Sequence, residues 1–222
     1  MNLKAVLIVS IAALGVTALP TPSAAADQPA SDGLVRVPSR TFDQLYLLPK
    51  ADLAAYRKVM VDPAQVEMHK GWLKSMNAYR DVTRWILGQD VRRITEAASV
   101  TMTSAVADAF KAQGYEIATA PGPGVLRVSP SVPDLWVNAP DVQAADPARF
   151  ASVDAGNATL VLEARDSVSG AVLGRVVDRD TARQTFRLNQ TTSASNVFWF
   201  EALVRWWAGN CAKEFLTAPS QS

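Results

Sequence analysis

Residues 158–165 and 171–178 alternate in polarity on either side of Ser167, Val168, Ser169 and Gly170, which predicts a β-hairpin. Gly170 suits the left-handed position of a bulged loop. Leu160, Leu162 and Ala164 point one way, and Thr159, Val161, Glu163 and Arg165 the other. The second face mixes polar and apolar residues, as an antiparallel sheet with one wet face does. The dry face needs a cover, and helices elsewhere in the chain must supply it.

Two helices are legible. Asp90 is placed to cap one running to about Gln113. Val91, Ile94, Ala98, Met102, Ala105, Ala109 and Phe110 form its apolar stripe, and Gly114 stands where a C-cap glycine belongs. Ser195 or Asn196 caps the other, which runs to about Leu216. Residues 58–61 predict a strand with Val59 and Val61 on one face; Pro63 interrupts it or places it at an edge, and Val66 and Met68 resume the alternation. Residues 51–56 read as a helical turn, 115–119 as a short strand and 125–132 as another strand, after the turn Pro121, Gly122, Pro123, Gly124. Residues 69–88 are irregular or partly helical. Trp72, Met76, Tyr79, Thr83 and Ile86 keep helical spacing there, against Gly71 and Asn77. Residues 133–157, with Pro133, Pro140 and Pro147, read as a loop anchored by Trp136, and 181–195 as a polar, mobile segment.

The expected fold is of the α/β (α+β) class. It is a single domain over residues 50–217, with a mostly antiparallel sheet of four to five strands and two long helices packed on it. Residues 27–49 form an extended N-terminal strap tacked down by Tyr46, Leu47 and Leu48, and 218–222 a disordered tail.

Residues 1–26 read as a secretory signal peptide. Lys4 precedes an apolar run over 5–19, Pro20 and Pro22 break it, and Ala24, Ala25 and Ala26 follow. Cleavage between Ala26 and Asp27 would release the chain into the periplasm or outside the cell. No lipid-bearing cysteine follows the run, because Cys211 is the sole cysteine. No later segment is apolar enough to span a membrane. The whole chain carries 22 basic and 21 acidic residues, so removing Lys4 leaves the mature form balanced. Balance argues against nucleic acid as a partner. With one cysteine there is no internal disulfide, and packing must hold the fold.

Few residues invite chemistry. His69 is the sole histidine, so a Ser–His–Asp hydrolase would have to use it; no Gly-x-Ser-x-Gly elbow accompanies it, and the plainer reading is an exposed strand-end histidine. Cys211 falls in line with Phe200, Val204, Trp207 and Phe215, which reads as a buried, inert thiol, with an intermolecular or reactive one as the alternative. Asp178, Arg179 and Asp180 read as surface ion pairs rather than a metal site. Arg175, Arg179, Arg183 and Arg187 recur every four residues. They could grip an anionic small molecule or polymer, or form a solvated face salted by Glu163, Asp178 and Asp180. The last helix carries Trp199, Trp206 and Trp207 with Phe198, Phe200 and Leu203. That is more apolar surface than one stripe can bury, so a second stripe meets either another part of the fold or a partner. Zinc spacings, phosphate loops and calcium loops do not occur, and no catalytic, metal or cofactor residue is assigned.

Several short blocks resemble one family. They are Asp32, Gly33, Leu34; Tyr56, Arg57, Lys58, Val59 leading to Val61, Asp62, Pro63; Gln113, Gly114, Tyr115 with residues 121–128; Asp166 and Ser167 through Gly170, with Val172 and Leu173; and Trp206, Trp207, Ala208. The family is the bacterial domain-of-unknown-function family numbered 3313, and the resemblance covers about residues 32–216. It implies an envelope protein with no established activity. Many members look like lipoproteins, a pattern from which this chain departs by lacking the lipobox cysteine. The expectation is therefore an exported, non-enzymatic binding or assembly module that meets a protein partner or a second copy through its last helix. The alternatives are a carrier for an anionic small molecule and an exported hydrolase using His69.

Overall fold

The computed structural model describes residues 32–138, 154–183 and 193–217. The expected signal peptide and C-terminal tail lie outside the described residues, as do Pro140, Pro147 and Arg187. The elements are β1 (Val35–Val37), β2 (Gln44–Leu47), β3 (Lys58–Val61), β4 (Gln65–Met68), α1 (Trp72–Asn77), α2 (Gly88–Ala112), β5 (Glu116–Ile117), β6 (Val125–Val137), β7 (Asp154–Asp166), β8 (Val172–Arg183) and α3 (Ser193–Thr217). Single 3-10 turns stand at Leu53–Ala55 and Val82–Arg84.

The eight strands form one sheet in the order β1-β2-β8-β7-β6-β3-β5, with β4 also paired to β6. The mostly antiparallel sheet of four to five strands is thus corrected to a mixed sheet of eight. β3 lies parallel to the start of β6 and β4 parallel to its later part, so the two are halves of one strand broken at Pro63. Proline has no N–H for the ladder. The groups of Ala64 freed by the break go to α2: its N–H donates to Thr103 Oγ1 at 2.9 Å, and its carbonyl accepts from Ser99 Oγ at 2.6 Å. The parallel pairing has a simple cause. α2 carries the chain back across the sheet before β6 begins, and a helical crossover makes parallel neighbours where a tight turn makes antiparallel ones.

Several boundaries are corrected. β6 runs through Pro133, which falls where the register against β7 shifts between Ser131 and Asp134; such a bulge does not need its missing N–H. Residues 133–137 and 154–157 are therefore strand and not loop. Likewise β8 extends to Arg183, which pairs with Asp154, so residues 181–183 are strand. α3 includes Ser193, ahead of both expected caps, Ser195 and Asn196. Leu87 occupies the N-cap of α2, and Asp90 acts one turn in, accepting the Leu87 N–H at 2.9 Å. The stretch expected as a strap supplies β1 and β2, and β2 pairs with β8.

α2 and α3 pack on each other and on one face of the sheet. Leu126, Val128, Val132, Leu160, Leu162, Ala164 and Val176 face them and are buried. From α2 come Ala98, Met102, Ala105, Val106 and Phe110, and from α3 Val204, Trp207, Ala208, Cys211 and Phe215. Gly114, at φ 90°, turns the chain out of α2.

The β7–β8 turn is built on Asp166. Its Oδ1 accepts the Ser169 N–H (2.7 Å), the Ser169 hydroxyl (2.9 Å) and the Val168 N–H (3.1 Å), while Oδ2 accepts the Tyr56 hydroxyl at 2.9 Å. The Ser169 N–H first, then the Ser169 and Tyr56 hydroxyls, hold the carboxyl at about 2. A depressed carboxyl favours the fold at pH above its unfolded value, and that contribution is lost as the pH falls through about 2. Carbon-detected NMR titration should therefore find Asp166 protonating near 2 in the native chain, with Tyr56→Phe moving the midpoint upward. An ordinary midpoint, or one indifferent to the substitution, would contradict this arrangement.

Candidate functional site

The sheet face away from the helices carries paired charges. Asp62 accepts the Arg127 Nε–H at 2.8 and 3.0 Å and the Ser129 hydroxyl at 2.6 Å. That bond and the Asp62 charge raise the Arg127 pKa. Glu163 sits opposite Arg175 in the β7–β8 register and accepts from it at 2.6 Å, and it also meets Arg165. Arg175 donates to Asp32 at 2.6 Å as well. Partial burial opposes the Arg175 charge, but Glu163 and Asp32 outweigh it and raise the pKa. A shallow cleft of about 570 Å³ crosses this face, lined among others by Asp62, Arg127, Ser129, Glu163 and Arg165. With each of these cations matched by an acid, the described cleft has little net pull on an anion.

That bears on the arginine row. Arg175 is committed to two carboxylates, and Arg179 lies 3.6 Å from Asp134. Arg183 lies on β8 with its side chain outside the described residues, and Arg187 lies wholly outside them. Asp178 does not lie on the surface, as expected of it, but is buried. It is 6% exposed and accepts the Asp43 N–H at 3.2 Å, while Asp43 Oδ2 accepts the Arg179 N–H at 3.0 Å. The side chain of Asp180 lies outside the described residues. Among the described residues no cluster of His, Cys, Asp and Glu could hold a metal ion.

His69 follows the last residue of β4 and is partly exposed. Its Nε2 stands 3.9 Å from Asp134, and its ring meets Trp136 edge-on at 5.2 Å. Nδ1 is buried without a hydrogen-bond partner among the described residues. His69 does not line the cleft of the open face, nor a smaller one of about 360 Å³ beside Tyr56 and Lys50. Cys211 is fully buried, as its spacing implies. Burial first, then the charges of Asp178 and Glu214, push its thiol well above the ordinary value, which suppresses the reactive thiolate.

The last helix divides as its spacing suggests. Trp207 is fully buried beside Val204, Cys211 and Phe215, whereas Trp206 is 51% exposed. The side chains of Phe198 and Trp199 lie outside the described residues.

The segment between α1 and α2 holds what the helical spacing concealed. Tyr79 is fully exposed, and Val82 (68%), Leu87 (51%) and Trp85 (45%) stand out beside it. Its base is clasped. Asn77 Nδ2 donates to the Ile86 carbonyl and Asn77 Oδ1 accepts the Ile86 N–H, both at 2.9 Å. Ile86 and Trp72 are buried beneath, with the Trp72 indole N–H donating to the Val137 carbonyl at 2.9 Å. The available signal was the run Trp85, Ile86, Leu87: a turn can bury one of three adjacent apolar residues, not all.

The model of the family described as "Protein of unknown function (DUF3313)" matches residues 26–210. No curated relative matches the chain. Solved structures similar to it include the PelC dodecamer from Paraburkholderia phytofirmans, at 15% identity and TM-score 0.35 over 72% of this chain and 96% of that one. Protein XCC0632 from Xanthomonas campestris shares 13% identity at TM-score 0.42, over 76% and 86%. Lipoprotein GNA1162 from Neisseria meningitidis shares 13% at TM-score 0.31, over 68% and 98%.

Proposed function

The chain belongs to the DUF3313 family, and on that premise we propose that it is an exported, non-enzymatic module of the bacterial envelope that assembles with copies of itself through α3. The observation that carries this reading is Trp206. A tryptophan half in solvent, on a helix whose other face is already core, is the side chain a partner would cover. A binding rather than a reactive role is also supported by Cys211, which is sealed in the core, and by Arg175, which is held by two acids on the opposite face of the sheet. The N-terminal sequence supports export to the periplasm or beyond. No helix of the described residues is long and apolar enough to cross a membrane.

Size-exclusion chromatography with light scattering tests the assembly. The mass of the wild type should rise with concentration, and Trp206→Ala should return it toward that of one chain without altering the circular dichroism. A wild type that stays monomeric at high concentration, or an assembly indifferent to the substitution, would refute the reading.

A further inference from the structure

Scattered apolar side chains are ordinary on a protein surface; a contiguous exposed group is not. Tyr79, Val82, Trp85 and Leu87 crowd into one loop whose base the Asn77–Ile86 hydrogen bonds close. The charge around them is one-sided. Between residues 70 and 93 stand Lys70, Lys74, Arg80, Arg84, Arg92 and Arg93, against Asp81 and Asp90 alone, in a chain whose formal charge is only +1. Both acids are engaged locally. Asp81 accepts the Thr83 N–H at 2.9 Å and its hydroxyl at 2.8 Å, and Asp90 accepts the Leu87 N–H and pairs with Arg93 at 3.0 Å. The sequence that carries and flanks the aromatic loop thus keeps an excess of basic residues.

That combination suits the surface of a bilayer. Tryptophan and tyrosine settle at headgroup level, where one end of the ring is apolar and the other wet, and basic side chains meet lipid phosphates. An apolar pocket on another protein would use the aromatic tip but leave the surrounding cations without a counterpart. We propose that the loop over residues 78–87 docks the protein on an anionic lipid surface, with Tyr79, Val82 and Trp85 entering the headgroup boundary and Arg84 and its neighbours facing the phosphates.

The burial of Cys211 makes the test clean, because a cysteine introduced at an exposed position is the one accessible thiol. Val82→Cys would carry an environment-sensitive fluorophore, and Val168→Cys, in the exposed β7–β8 turn, would carry the same label as the reference. Vesicles of phosphatidylglycerol mixed with phosphatidylcholine should shift the emission at position 82 to the blue and leave position 168 unchanged. Vesicles of phosphatidylcholine alone should do much less, and added salt should weaken the response. Each basic side chain near an anionic surface is worth roughly fivefold in affinity, so reversing one by Arg84→Glu should weaken binding about tenfold or more. Silence at position 82, equal shifts at 82 and 168, or indifference to Arg84→Glu would each overturn the proposal.

Discussion

Phe110→Ala is expected to lower the unfolding free energy by about 4 kcal/mol. Phe110 is fully buried in the last turn of α2. Its ring meets Tyr115 edge-on at 5.2 Å and stacks on Phe215 of α3 at 6.4 Å. One side chain therefore joins the two long helices to the turn that leads into β5. Truncation removes its transfer free energy and leaves a cavity between elements that the sheet holds apart, so the site cannot collapse freely. Aromatic pairs add about 1 kcal/mol beyond area. Domains of this size are stable by about 5–15 kcal/mol, so the loss would be a large share of the total. Urea unfolding should show the midpoint falling with an unchanged slope. Phe110→Leu, which keeps most of the volume, should cost less. A cost for Phe110→Ala below about 1 kcal/mol would mean that this ring does not organise the core.

Phe110 was legible because one-sided burial imprints a period on the chain, and the same holds for Cys211 and for the β7–β8 hairpin. The remaining features depend on information that a period does not carry. Alternation along β3 and β6 is the same whether the strands run parallel or antiparallel; only the crossover through α2 decides it. Pro133 reads as a loop until a bulge in β6 itself makes room for it. By its charge Asp178 reads as a surface residue, yet it lies two residues from Val176, and period two places both on the buried face. Tyr79 fits a helical spacing with Trp72 and Ile86, but the Asn77 clasp ends the helix and turns the phenol outward. Residue type argued against position at Asp178, and spacing argued against local hydrogen bonding at Tyr79. In both cases the tertiary partner decided the outcome.

Gly156→Ala should cost about 3 kcal/mol, for a different physical reason. Gly156 stands near the start of β7 opposite Val137, beside a register shift in its pairing with β8, at φ 152°. A Cβ there would lie 2.0 Å from the Trp136 carbonyl oxygen, 3.1 Å from its carbonyl carbon and 3.2 Å from the Val137 Cα. All three are backbone atoms, so no side chain can rotate out of the way. The strands must part at this end or the peptide must turn, and either change weakens the ladder between β6 and β7. Gly170→Ala provides the contrast: φ is 73°, but nothing lies within 4 Å of the added carbon. It should suffer backbone strain alone, about 1 kcal/mol. Urea midpoints for the two variants should therefore separate clearly, and equal losses would rule out the steric account. The disturbance should also travel. The Val137 carbonyl receives the Trp72 indole N–H, and Trp72 opens α1, whose last residue Asn77 clasps the loop over residues 78–87. Hydrogen exchange in Gly156→Ala should then quicken first at the Val137 end of β6 and next at the Ile86 amide, whose partner is Asn77.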